Sequence, residues 1–149
     1  MTNTGPRAFF TADHRSCDAL WAQLEEVINQ GNTDRSQELW KKFDHAIRRH
    51  FDLEEEVLFP ALEEATGMRN MGPTMVMRSE HMQMKGVLDQ MAAEAEKGDY
   101  EALADHGDTL LILTQQHNVK EEGILYPMAE DHLGAQWEQL SQRLEKFFS

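Results

Sequence analysis

Apolar residues recur along this chain at intervals of three and four, the spacing of a helix that buries one face. One stripe comprises Phe10, His14, Cys17, Trp21, Leu24 and Ile28, and a second Leu39, Phe43, Ile47, His50, Glu54, Val57 and Ala61. A third runs through Met77, His81, Met84, Leu88 and Met91, and a fourth through Leu103, Leu110, Leu113, His117, Glu121, Ile124 and Met128. No alternating run of Val, Ile and Thr argues for a sheet, so the predicted fold class is all-α.

Turn residues set the expected boundaries. The first helix spans about Arg7 to Gln30 and stops at Gly31, and the second starts behind Thr33 or Asp34 as N-cap. It reaches about Ala65, before Gly67. Gly72-Pro73 opens a third helix that ends at Gly98, and Asp99 caps a fourth that runs to about His132, before Gly134. Pro60 and Pro127 fall inside the second and fourth helices and are expected to kink them or end their regular part. Trp137, Leu140, Leu144 and Phe147 predict a short fifth helix over 135–148.

The two halves repeat. The segments beginning at His50 and His117 both read H-x3-E-E-x2-L-aromatic-P, and they lie 67 residues apart. The same offset relates His14 to His81, Gly31 to Gly98, Gly67 to Gly134 and the acidic Asp13 to Glu80. Two copies suit a closed structure better than a solenoid, which needs at least three. The expectation is a single domain over 1–149 built of two pseudo-repeats, about 8–67 and 75–134. It would form an up-down-up-down antiparallel four-helix bundle about a pseudo-twofold axis.

Two glutamates, Glu54 and Glu121, stand where an apolar residue belongs, and no Lys or Arg shares their stripes. A buried carboxylate without a partner is costly, so a cation shared with the four stripe histidines accounts for all six groups. The levels match: His14 and His50 both lie about 25–28 Å from Gly31 at 1.5 Å per residue, and His81 and His117 do the same around Gly98. The pattern assigns His14 and His50 to one ion, His81 and His117 to a second, and Glu54 and Glu121 as bridges. Mixed imidazole and carboxylate donors suit iron, with manganese and zinc as alternatives. His45, His106 and His132 have no histidine at the repeat position and are read as ordinary residues.

Other repeated or clustered residues receive lesser roles. Glu55 and Glu122 point about 100° away from the stripe and are expected to contact ring N–H groups or surface cations. Asp18 and Lys85, each one turn beyond a histidine, are expected to meet near the axis at the mouth of the site. Met71, Met75, Met77, Met82, Met84 and Met91 are read as flexible core filler, and Cys17 as core.

Composition narrows the partners. The 149 residues are 40% apolar with a net charge of −13, which opposes binding to nucleic acid or an anionic membrane. One cysteine excludes an internal disulfide. No apolar leader and no run near about 18 apolar residues is present, so a soluble cytoplasmic protein is expected.

On these motifs the chain resembles the hemerythrin family, specifically the hemerythrin-like HHE cation-binding domains, over about residues 8 to 132. The H-x3-E-E-x2-L-F-P and H-x3-E-E-x2-L-Y-P segments look like its two signature stretches, and His14 and His81 sit where the family has its other helical histidines. The resemblance implies a non-haem di-iron centre with an oxo or hydroxo bridge that meets O2, NO or peroxide. Oxygen-carrying hemerythrins have His-x3-His on the third helix and His-x4-Asp on the fourth. Here Lys85 stands four after His81, and the carboxylate is Glu121, four after His117. One imidazole fewer implies metals more open to outside ligands, and it shifts the expectation from oxygen carriage toward sensing, scavenging or redox chemistry. Iron storage or delivery to a protein client is the alternative.

Overall fold

The structure, a computed structural model, describes residues 5–69 and 71–149. Each helix begins and ends where local chemistry satisfies its exposed backbone groups. The first, α1 (Pro6–Asn29), has proline in its first turn, where the missing N–H costs no bond. The chain reverses at Gly31, whose φ of 72° favours glycine. Next, α2 (Thr33–Leu53) is capped by Asn32, which accepts from the Arg35 N–H at 3.1 Å. The cap precedes the expected Thr33 or Asp34 because Asn32 has the extended backbone an N-cap requires, while Thr33 is already helical.

Neither internal proline ends its helix. At the end of α2 the chain widens into a π turn over Glu54–Leu58, whose closing bond runs from the Phe59 N–H back to the Glu54 carbonyl. α3 (Phe59–Thr66) follows, with Pro60 in its first turn and Gly67, φ 73°, ending it. After α4 (Pro73–Glu96) and α5 (Tyr100–Lys120), capped by Asp99 on the Ala102 N–H, a second π turn covers Glu121–Leu125. α6 (Tyr126–Leu133) then carries Pro127 in its first turn. After each wide turn, proline occupies a first-turn position that needs no donor.

The π turns also change which residues face inward. The extra residue in the second turn buries Leu125, Tyr126 and Ala129, and leaves Ile124, an expected core residue, 58% exposed. Its repeat partner Val57 is buried because α7 (Trp137–Glu145) lies against the first π turn, with Leu140 and Leu144 inward. Arg143 of α7 approaches the Glu56 carbonyl at 3.5 Å, the acceptor that Pro60 cannot serve. Gly134 has a helical φ of −56° and passes the chain through a 3-10 turn into α7, so it does not act as Gly67 does.

α1 packs along α2, α4 along α5, and α1 and α3 both meet α6. Four long helical stretches therefore enclose one interior, and its apolar residues fall into two clusters. One, near the Gly31 and Gly98 turns, includes Trp21, Leu24, Phe43, Ile47, Met84, Leu88 and Leu110. The other, at the opposite end, includes Phe10, Leu53, Phe59, Met77, Leu125, Tyr126 and Leu140. Between them lie His14, His50, Glu54, His81, His117 and Glu121, none more than 3% exposed. Met77, Met84 and Met91 are core as expected, but Met71, Met75 and Met82 are exposed on the outer side of α4 and its approach.

The repeat places its large rings differently in the two halves. Trp21 of α1 rests on Gly107 of α5, where an added Cβ would lie 2.2 Å from the indole ring. The repeat positions hold Leu88 and Trp40, so the large ring has moved to the other helix of the pair. Gly107→Ala is expected to lose about 1–3 kcal/mol from overpacking, although alanine is the better helix former. Adding Trp21→Leu should recover part of that loss. Denaturant unfolding of the single and double variants checks this, and an unchanged or stabilised Gly107→Ala protein would contradict it.

Candidate metal centre

Each of the four long stretches delivers one histidine to the layer between the two apolar clusters. His14 comes from α1, His50 from α2, His81 from α4 and His117 from α5. The two carboxylates, Glu54 and Glu121, are the first residues of the two π turns. These side chains assemble into two groups that share the glutamates: His14, His50, Glu54 and Glu121, and then His81, His117, Glu54 and Glu121. Within each group one donor atom from every residue lies within 4.8 Å of all the others.

Several inward atoms find no partner, although His14 Nε2 is hydrogen-bonded to Glu121 Oε1 at 3.0 Å. His81 Nε2 is 2.9 Å from Glu54 Oε1 and His117 Nε2 is 3.1 Å from Glu121 Oε2, yet none of these four atoms makes a hydrogen bond of acceptable direction. His50 Nε2 is likewise buried and unpaired. Buried polar atoms without partners are costly, and imidazole nitrogens converging with carboxylate oxygens are the donor set of a transition-metal cation. The residues fit such an ion.

The outward ring nitrogens are all held by carboxylates. His14 Nδ1 lies 2.8 Å from Glu122, His81 Nδ1 2.7 Å from Glu55, His50 Nδ1 2.8 Å from Asp13 and His117 Nδ1 2.8 Å from Glu80. Such partners fix the tautomer, leaving Nε2 free to face inward. Most of the outer carboxylates carry a cation in turn: Arg15 on Glu122, Lys85 on Glu55 and Lys120 on Glu80. Glu55 and Glu122 thus contact ring nitrogens of His81 and His14, and so do Asp13 and Glu80 those of His50 and His117, a pair the sequence offered only as repeated acids. The expected meeting of Asp18 with Lys85 does not occur. Lys85 binds both oxygens of Glu55, at 3.0 and 3.1 Å, and Asp18 pairs with Arg15 at 3.5 Å on the surface. A carboxylate holding a ring N–H already needs a cation, and each basic residue is drawn to the one nearest to it.

Tyr126 is the residue the sequence pattern did not single out. Its hydroxyl is fully buried and lies 2.5 Å from Glu54 Oε2, 2.9 Å from Glu121 Oε1 and 3.1 Å from His14 Nε2. The only signal was the change of aromatic residue from Phe59 to Tyr126 between the two motifs.

Among the protein groups alone the charges divide unevenly. Burial, reinforced by the His50 charge, holds His14 at about 2, and burial also lowers His117. Burial opposes the charge on His50 as well, but Glu54 and the contact with Asp13 outweigh it and raise the imidazole well above its ordinary value. His81 is raised in the same way by Glu54 and Glu55. Burial pushes Glu54 upward, but its histidines outweigh this and bring it well below the carboxylate range. Glu121, buried beside that charge, is pushed well above it. Tyr126 is raised by burial and by the two carboxylates.

Comparison with known proteins agrees with the donor set. The family described as "Hemerythrin HHE cation binding domain" matches residues 5–129 and again 76–147. The chain belongs to this hemerythrin family. As a hemerythrin HHE domain it is a metal-binding protein, and both matched stretches include His81, His117 and Glu121. A curated relative, the iron-sulfur cluster repair protein YtfE of Edwardsiella ictaluri, is 36% identical over 73 residues. That stretch is 47% of this hemerythrin-family chain and 33% of the relative, so the likeness spans about a third of the relative's length. No solved structure matches. Among the described residues no helix is long and apolar enough to cross a membrane.

These protonation states predict proton release on metal uptake. His50, His81 and Glu121 are shifted toward their protonated forms, whose protons a cation must displace, whereas His14 and His117 are shifted toward the neutral imidazole. Protons should leave on uptake, and affinity should fall as pH falls. Calorimetry in buffers of different ionisation enthalpy measures this, and uptake without proton release would contradict it.

Proposed function

We propose that this chain carries a non-haem di-iron centre and reacts with O2, NO or peroxide as a sensor, scavenger or redox protein. His14 and His50 would hold one iron, His81 and His117 the other, with Glu54 and Glu121 bridging. The observation that carries this reading is the convergence of buried imidazole and carboxylate atoms in two groups that share both glutamates, with His50, His81 and His117 Nε2, Glu54 Oε1 and Glu121 Oε2 left without hydrogen-bond partners. Manganese and zinc are the alternative occupants of such a donor set. When bound, the iron pair supplies the electrons and the coordination positions that small oxidants or NO require. The protein's own part is to orient the imidazoles through Asp13, Glu55, Glu80 and Glu122, and to keep bulk water away with apolar residues on both sides of the layer.

This reading is that of one domain of two pseudo-repeats in up-down-up-down order with α7 as a fifth helix, acting in the cytoplasm. The tight turns at Gly31 and Gly98 and the pairing of α1 with α2 and of α4 with α5 support it. The function of the cluster repair relative favours a second reading, in which the chain stores iron or delivers it to a protein client.

Metal analysis and exposure of the anaerobically reduced protein to O2, NO and peroxide, followed by absorption, separate these readings. Two irons per chain and a rapid spectral change with one of the three support redox or sensing chemistry. Ready loss of iron to a weak chelator, with no such reaction, supports delivery, and a chain that takes up no metal refutes both. Glu80→Gln should weaken iron binding about 10–100-fold by loosening His117, measurable by competition with a chelator.

A further inference from the structure

The pseudo-twofold symmetry breaks at one pair of positions that touches the centre. Tyr126 and Phe59 are repeat partners, each the first residue after a π turn and each fully buried. Five residues apart on a regular α-helix, Glu121 and Tyr126 would point about 140° from each other. The π turn, closed by the Tyr126 N–H on the Glu121 carbonyl, brings them onto one side. The Tyr126 ring stacks on Phe10 at 5.4 Å, which fixes the hydroxyl over the first group of donors.

That hydroxyl is within 3.1 Å of donor atoms from three of the four residues of the His14 group. A phenol has one hydrogen and cannot satisfy three neighbours at once, so its oxygen lone pairs remain directed into the group. At the mirrored place beside His81 stands the Phe59 ring, 5.5 Å away and without a donor. Lys85, one turn beyond His81, is held by Glu55 and adds none.

On the reading of two irons, we propose that Tyr126 is a fifth protein donor to the iron held by His14 and His50. The iron between His81 and His117 has four protein donors, and it is there that a small anionic or diatomic ligand binds. The two positions are therefore chemically unequal despite the repeat, and a single side chain makes them so.

Ferric protein carrying two irons is expected to show phenolate-to-iron charge-transfer absorption with resonance-enhanced tyrosinate vibrations. Tyr126→Phe should abolish these signals while retaining both irons, and should raise azide binding from one equivalent to two. Phe59→Tyr should add a second phenolate signal and lower azide affinity at least tenfold. Two irons without tyrosinate signals, or azide stoichiometry unaltered by Tyr126→Phe, would overturn the assignment while leaving the di-iron reading intact. Failure of the unmodified protein to bind iron would overturn that reading instead. Because Phe59→Tyr adds a group rather than removing one, it tests the inference even where Tyr126→Phe folds poorly.

Discussion

Glu54 and Glu121 lie side by side at the centre of the protein, both fully buried, in contact with four imidazoles and the Tyr126 hydroxyl. Two carboxylates in that position repel each other and lose their hydration, and the protein groups alone resolve this only by leaving one charged and one protonated. The layer also divides the apolar core into two clusters that touch different ends of the helices. A bound cation would offset what this arrangement otherwise leaves costly, in keeping with a cation-binding domain that has six ionisable groups where a plain helical domain would place leucines.

Around that layer the electrostatics alternate outward. Imidazoles face the centre, carboxylates hold their outer nitrogens, and Arg15, Lys85 and Lys120 hold the carboxylates near the surface. Three cations placed this way offset outer carboxylates in a chain whose net charge is −13. The outer carboxylates are themselves related by the 67-residue repeat: within each half, α1 and α4 orient a histidine of the helix that follows. Glu55 and Glu122 reach across to the other half, from the π turns onto His81 and His14.

Departures from the repeat are where the two halves acquire different jobs. α7 covers Val57 and leaves Ile124 bare, so one π turn is buttressed and its partner is open to solvent. Trp21 with Gly107 mirrors Leu88 with Trp40, so the large ring sits on α1 in one pair and on α2 in the other. Tyr126 against Phe59 differs in one hydroxyl group, and it lies against the donors themselves.

Helical periodicity, the glycine and proline punctuation and the 67-residue offset sufficed to locate four helical stretches and to single out His14, His50, Glu54, His81, His117 and Glu121, which the structure brings into one buried layer. Those signals are local or are carried by the register, and a chain with period 3.6 reveals its inward face without its neighbours. What the pattern could not reveal depends on contacts between distant segments. The π turns shift the inward face by one residue, which misplaced Ile124 and hid Tyr126. The pairing of each histidine with its outer carboxylate, and of Lys85 with Glu55 rather than Asp18, follows from which helices become neighbours. Sequence determined which residues turn inward, and packing decided which of them meet, because a hydrogen bond needs atoms within about 3 Å whatever their separation along the chain.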